Sequence, residues 1–538
     1  MQLPDYTPTI PAMLHRLAQR FGERELVVLN ERRLRYVELE AASARLARGL
    51  LRAGVGKGTR VGLLMPNGPD WMIAWFAAAR VGALAVPINT FYQARELGWL
   101  LQHADIHTLL CVSRYLNHDY LERLEQSVPE LGPQTQPDLC LSTLPYLRAV
   151  YVWGESDRKW ARSGTVLDAQ ADADPNFDAG FLRAVEGQVT AADPAMLIYS
   201  SGSVADPKGA LHTHGALVRH SYQLATMRDL TQDDRVWSPM PFFWIGGLVF
   251  SLLGTMHHGA CLITEDFFEP GKTLDLLERE RVTVAAGWPH YGKALSDHPS
   301  FKQRDLSRIR SGNIYALQDG PVDPELRGNS LGMTETCGPH TYVEGELPEE
   351  QRGSYGPVVP GLEHKVIDPD SGAILPPGTP GEICVRGYSL MQGLYKVERE
   401  ETFDADGYYH TGDVGYFKDG ILYFQGRQGD MIKTGGANVA PVEIEKLLES
   451  YPEVKEAFVV GVSDPVRGQN VAAAIVTQPG ASIDPDSVRT RVKAELSAYK
   501  VPRYVLFYEH DALPFTDSGK IDKRRLEELL AARIAEEA

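Results

Sequence analysis

The chain has 538 residues, too many for a single hydrophobic core, and its 43% hydrophobic and 23% charged residues are those of a globular protein rather than a disordered one. Its formal net charge of −17 argues against a nucleic-acid partner, because phosphate neutralisation needs a basic surface and no long Lys/Arg run is present. The five cysteines Cys111, Cys140, Cys261, Cys337 and Cys384 are widely spaced without a Cys-x-x-Cys pair, which disfavours a zinc site or disulfide framework and points to a reducing, cytoplasmic compartment.

In chain order, Leu14, Leu17, Ala18 and Phe21 mark one face of an amphipathic helix, not a signal peptide. Val61 to Met65, Leu84 to Val86 and Ile106 to Val112 read as buried strands, with a helix from Trp71 to Arg80 between the first two. This alternation predicts an α/β sandwich with parallel sheets. The stretch from Asp157 to Asp193, rich in Asp, Ala and Gly, carries little pattern and reads as a surface connection. Strands at 195–199 and 260–263 continue the theme. Between them Pro241 to Met256 is apolar but broken by Gly246, Gly247 and Gly254, and it is shorter than the about 20 residues of a membrane-spanning helix. From Tyr355 to Tyr395 short strands and Pro/Gly turns predict a small antiparallel barrel or sheet. A boundary after Arg427 leaves 1–427 as a large N-terminal domain and 428–538 as a smaller α+β domain. The latter has helices at 442–450, 485–498 and from Lys523, and strands at 457–462, 471–477 and 504–508.

The strand 195–199 runs into Ser200, Ser201, Gly202 and Ser203 and on to Pro207-Lys208-Gly209. Hydroxyls and free backbone N–H groups followed by a lysine make a phosphate-holding loop, for which a nucleoside triphosphate is the natural guest. Downstream, in order, stand Gly332-Met333-Thr334-Glu335, His410-Thr411-Gly412-Asp413, Gly426-Arg427, Lys433-Thr434-Gly435-Gly436 and Ser518-Gly519-Lys520. Two other patterns do not carry a site. Gly271-Lys272-Thr273 ends like a nucleotide loop but lacks its first glycine and reads as a helix start, and His212/His214 and His257-His258 lack a third metal ligand.

Taken together and in this order, the five segments resemble the adenylate-forming superfamily, in its acyl-CoA synthetase branch. The resemblance implies an ATP-dependent carboxylic acid:CoA ligase that forms an acyl adenylate and then a thioester, with ATP, Mg²⁺ and coenzyme A as cofactors. It assigns the β- and γ-phosphates to Ser200–Lys208, the α-phosphate to Thr334, Mg²⁺ to Glu335, the ribose hydroxyls to Asp413, and the ribose and hinge to Arg427. Gly332 and Met333 complete the nucleotide site. Lys520 would bridge the acid's carboxylate and the α-phosphate, and the smaller domain would then rotate to present Lys433, Gly435 and Gly436 as a channel for pantetheine. Trp244, Gly247 and Trp288 would wall the acid pocket, which suits an apolar acyl or aryl chain and offers no carboxylate for an α-ammonium group. The partners implied are small molecules, with no membrane span and room for a homodimer. A ligase that loads a carrier protein, or a degenerate binding paralogue, would share most of these residues. Val204-Ala205 stands where the family carries Thr-Gly, Leu331 where an aromatic commonly stacks on adenine, and Gly429 at the hinge. The stretch Ser311 to Leu331 lacks the family's Gly-Gly-Ala signature.

Overall fold

Apolar side chains on every side of Pro69–Arg80 predict a fully buried helix, and in the computed structural model Trp71, Met72 and Ala74 to Arg80 are all buried, with Pro69 at the first turn. The structure describes residues 2–200, 207–318, 323–427, 431–515 and 521–537. The chain forms two compact units. The first comprises Met1–Thr90, Leu100–Ile198 and Gly209–Gly426; the second comprises Phe91–Trp99, Tyr199–Lys208 and Arg427–Ala538.

Two large sheets are built as the strand–helix alternation predicts. In the eight-stranded one, Arg60–Leu64 pairs in parallel with both Leu84–Pro87 and Thr108–Val112, and the latter pairs in parallel with Ala149–Trp153. Their near-continuous apolar burial is that of parallel strands covered on both faces. In the six-stranded sheet, Arg235–Trp237 lies between Cys261–Thr264 and Val284–Ala285, all parallel, and Ser311–Gly312 extends the edge. The predicted antiparallel part is a four-stranded sheet, ordered Leu362–Ile367, Gly381–Gly387, Tyr409–Lys418, Ile421–Arg427.

The apolar run around Pro241 to Met256 becomes a buried π-helix, Gly246–Leu253, continued by the short α-helix Gly254–His257. Among the described residues no helix is long and apolar enough to cross a membrane. Gly271-Lys272-Thr273 is indeed a helix start, because Glu269 caps Pro270–Arg279 by accepting from Gly271 N and Lys272 N.

One expectation is corrected. Asp157 to Asp193 is not an unpatterned surface connection, because it contains the helices Thr165–Ala173 and Ala179–Glu186. Tertiary contacts impose that order. The first of them packs on Tyr36–Arg52 so closely that a Cβ on Gly49 would lie 2.1 Å from Leu167 O. From the second, Glu186 accepts from Arg80 Nε at 2.5 Å in the interior.

In the second unit, Gly468–Thr477 runs antiparallel to Val454–Asp464 and parallel to Tyr504–Phe507, and it also pairs with Ile432–Thr434, which turns back into Ala437–Val439. The helices Pro441–Glu449 and Pro485–Glu495 bury Ile444, Leu447, Leu448, Val488 and Val492 against Val459, Ala473 and Ile475, giving this unit a core of its own. The final helix spans Lys523–Glu537, starting where the sequence places it.

Candidate active site

Ser330–Met333 and Gly338–Tyr342 form an antiparallel pair, so Thr334 to Cys337 is the turn of a hairpin. Gly332 is required there by close approach, since a Cβ would sit 2.6 Å from Gly338 O and from Pro339 Cα. The turn is tied down from several sides. Met333 N donates to Thr336 Oγ1 at 3.2 Å, Thr336 Oγ1 donates to Gly338 O at 2.7 Å, and Cys337 N donates to Thr334 O at 3.0 Å. Cys337 is held at φ +64°, a left-handed conformation uncommon outside glycine. From outside the hairpin, Met391 N donates to Glu335 O at 2.9 Å.

His212, in the strand Lys208–Thr213, donates from Nε2 to Thr334 O at 2.8 Å. Burial pushes its pKa down to about 4, and the bond to the Thr334 carbonyl only partly opposes that, so the ring is neutral with its proton on Nε2. Sequence reasoning gives His212 no ligand role, and here it positions the Thr334–Glu335 turn. Glu335 is buried, 7% exposed, and its carboxylate offers the hard oxygen donors that Mg²⁺ takes.

Asp413 is buried in Tyr409–Lys418 and is also placed by its neighbours. Thr411 Oγ1 donates to Ile383 O at 2.6 Å and accepts from Asp413 N at 3.0 Å, while Gly412 N donates to Glu382 Oε1 at 3.0 Å. Glu382 Oε2 is 3.1 Å from His410 Nδ1, and Glu382, Cys384 and His410 bring their donor atoms within 4.8 Å of one another. Leu331 packs with Ile383, Val385 and Leu422.

A cavity of about 280 Å³ opens beside the hairpin, lined by Gly332 and Met333 from the motif and by Arg228, Phe250, Trp288 and Tyr342 among others. Trp244 stands behind Trp288, ring centroids 5.4 Å apart and nearly perpendicular. Gly247 is buried and serves packing, a Cβ there meeting Pro241 O at 2.0 Å; its neighbour Gly246 lines the cavity instead. The stretch Ser311 to Leu331, in which the sequence offers no family signature, supplies Gly312, Asn313, Tyr315 and Gly328 to the wall. Asn313 clamps the Gly287 segment, accepting from Gly287 N at 2.9 Å and donating to Gly287 O at 2.7 Å. Arg228, Asn313, Tyr342 and Glu344 are cavity residues that sequence reasoning misses, for no local pattern marks them.

The remaining predicted residues belong to the second unit. Lys208 begins a strand and Ser200 ends one, both half-buried, while Ser201, Gly202, Ser203, Val204 and Ala205 lie outside the described residues. So do Gly429 and Lys520. Arg427 ends the strand Ile421–Arg427. Lys433 is exposed in Ile432–Thr434, and Gly435 and Gly436 make the following tight turn at φ +54° and +83°.

Residues 14–395 match the AMP-binding enzyme family and residues 443–520 match the AMP-binding enzyme C-terminal domain. The chain belongs to the AMP-binding enzymes, the adenylate-forming superfamily that the ordered motifs resemble. A Bacillus subtilis protein named as an acyl-CoA synthetase, YngI, is 32% identical over 97% of this chain and 96% of its own. The human mitochondrial medium-chain acyl-CoA ligase ACSF2 is 30% identical over 98% of this chain and 88% of its own. Among solved structures, the Mycobacterium tuberculosis fatty acyl CoA synthetase superimposes with a TM-score of 0.64 at 26% identity, covering 98% of this chain and 99% of that one. Within the superfamily the chain falls in the acyl-CoA synthetase branch and is an AMP-forming acid–CoA ligase that uses ATP and coenzyme A.

Proposed function

We propose that this ligase activates a carboxylic acid whose chain occupies the 280 Å³ cavity, with Thr334, Glu335 and Asp413 serving the nucleotide. The observation that carries this reading is continuity: Gly332 and Met333 line the cavity, and the next two residues are the pinned Thr334–Glu335 turn. An acid seated in the cavity is thereby brought beside the residues assigned to the α-phosphate.

The attacking carboxylate is ionised near neutral pH and needs no general base. One of its oxygens attacks the α-phosphorus of ATP, the bond to the β-phosphate oxygen breaks, and pyrophosphate leaves an acyl adenylate. Asp413, with two acceptor oxygens, holds the ribose hydroxyls. Thr334 donates to the α-phosphate, and Lys520 reduces the repulsion between the two anions as they meet. Glu335 would hold Mg²⁺, which when bound screens the phosphate charge. The thiolate of coenzyme A then attacks the acyl carbon and AMP departs. Lys433, Gly435 and Gly436 are assigned to the pantetheine arm, for which a turn without side chains leaves room.

We place the domain boundary after Arg427 and assign Lys520 to a mobile C-terminal domain. A cytoplasmic location is supported by five free cysteines, and a homodimer is the assembly to look for by light scattering. The test is pyrophosphate release with ATP, Mg²⁺ and a panel of acids, with and without coenzyme A, with products followed by mass. An acyl-CoA product is expected. Adenylate without thioester would move the acceptor to a carrier protein, and no turnover would refute the ligase reading. Lys520→Ala should depress adenylate formation by about a hundredfold or more, in the range of a lost transition-state charge contact, while sparing thioester formation from supplied acyl adenylate. Equal loss of both steps would refute its role.

A further inference from the structure

An apolar acid leaves one wall of the cavity unexplained. Arg228 follows the helix His214–Met227 as its C-cap residue, lines the cavity, and is only 3% exposed. Its Nη1 donates to Phe250 O at 2.7 Å, and its guanidinium carbon lies 4.1 Å from the Phe250 ring centroid. Its Nη2 is buried without a hydrogen-bond partner, and among the described residues no carboxylate forms an ion pair with it. A guanidinium stays charged at any working pH. Buried charges are costly unless paired, and a buried donor left idle adds to that cost. Packing on Phe250 and one bond to its carbonyl do not require a permanent cation.

The acidic side chain in the same wall does not fill the role. Glu344 Oε1 accepts from Gly312 N at 2.7 Å and Glu344 Oε2 from Tyr342 Oη at 2.5 Å, so both of its oxygens are engaged elsewhere. Phe250 and Tyr342 pack with centroids 5.9 Å apart, which groups Arg228, Phe250, Tyr342 and Glu344 into one polar-and-aromatic patch of a cavity whose other walls include Met240, Ile245 and Trp288. The reacting carboxylate belongs at Gly332–Met333, where the cavity meets the catalytic turn.

Resting on the ligase reading above, we propose that Arg228 binds a second carboxylate carried by the acid, making the preferred substrate a dicarboxylic acid: one carboxylate is activated while the other pairs with the guanidinium. A carboxylate supplies the missing negative charge, and it meets an arginine fork in a directional, charge-assisted way that a methyl terminus or hydroxyl cannot match.

The test compares straight-chain monoacids and α,ω-diacids of equal carbon number, using the full chain with ATP, Mg²⁺ and coenzyme A, and reads kcat/KM for thioester formation. At the best chain length the diacid should exceed the monoacid by at least about tenfold. Arg228→Met should erase or invert that preference, lowering kcat/KM for the diacid by a larger factor than for the monoacid of equal length and acting mainly through KM for the diacid. Arg228→Lys should retain part of the preference, since it keeps the charge but not the fork. Should Arg228→Met fail to fold, the wild-type series and Arg228→Lys still decide. Monoacid turnover with diacids refused at every length would overturn this proposal alone, as would equal loss of both series in the variants, which would make Arg228 a brace for the π-helix. Thioester from neither series would sink the ligase reading and this proposal with it.

Discussion

Glu265 lies just after the strand Cys261–Thr264 and is 7% exposed, far from ordinary for a carboxylate. Burial raises its pKa from 4.5 to about 7, although Thr273 Oγ1 at 2.7 Å and Trp237 Nε1 at 3.2 Å both donate to it and pull the other way. A carboxyl that titrates higher when folded holds a proton that the unfolded chain has lost. Its contribution is therefore most favourable below pH 4.5, declines by about 1.4 kcal/mol per pH unit up to about 7, and is flat above. Glu265→Gln has the same shape and cannot ionise. Any fixed cost of turning Thr273 from donor to acceptor is independent of pH, so the variant should gain about 2–3 kcal/mol on wild type between pH 5 and pH 8. A chain of two units has no single unfolding free energy. Native-state hydrogen exchange of the amides in Cys261–Thr264, read at several pH values, gives the local quantity instead. A difference between variant and wild type that stays constant across that range would refute the reasoning.

Arg80, buried and bonded to Glu186 Oε1 at 2.5 Å, Glu40 Oε1 at 2.9 Å and Ser43 Oγ at 3.0 Å, should cost about 3–5 kcal/mol when changed to Met, with adding Glu186→Gln recovering part of the loss in thermal melts. In the same network hydrogen bonds donated to Glu186, and then to Glu40, hold His15 up to about 9; its stabilisation should be complete below pH 6.5 and vanish as pH rises through about 9, so His15→Ala should be destabilised only below that value in melts across pH. Gly436→Leu, at φ +83° in the turn assigned to pantetheine, should depress thioester formation at least about tenfold while pyrophosphate release in the absence of coenzyme A persists. If only the first step suffers, the channel lies elsewhere.

The sheets and most helices are legible in the sequence because their signals are local: apolar runs bounded by turn residues, a proline at the first turn of Pro69–Arg80, a glutamate capping Pro270–Arg279. The Thr334–Glu335 and Asp413 segments are legible for the same reason, each being a contiguous motif. What escapes is tertiary. Nothing near Glu186 announces that Arg80, 106 residues earlier, will bury against it, so the helices between Asp157 and Asp193 go unread. His212 looks like a stray histidine until its imidazole is seen to hold the Thr334 carbonyl. The solitude of Arg228 is a property of its surroundings, not of its neighbours in sequence, and the packing of Leu331 on Ile383 and Leu422 joins residues far apart in the chain.

The π-helix Gly246–Leu253 closes each hydrogen bond one residue later than an α-helix would, so it stores a surplus residue beside the cavity. Removing a single residue from this turn would let the segment wind as an α-helix, and each residue of α-helix amounts to about 100° of rotation. Phe250 would swing off the guanidinium it now covers. A length change of one codon could thus retool the Phe250 wall of the cavity without altering any wall residue's identity, a route by which ligases of this architecture can diverge in the acids they accept.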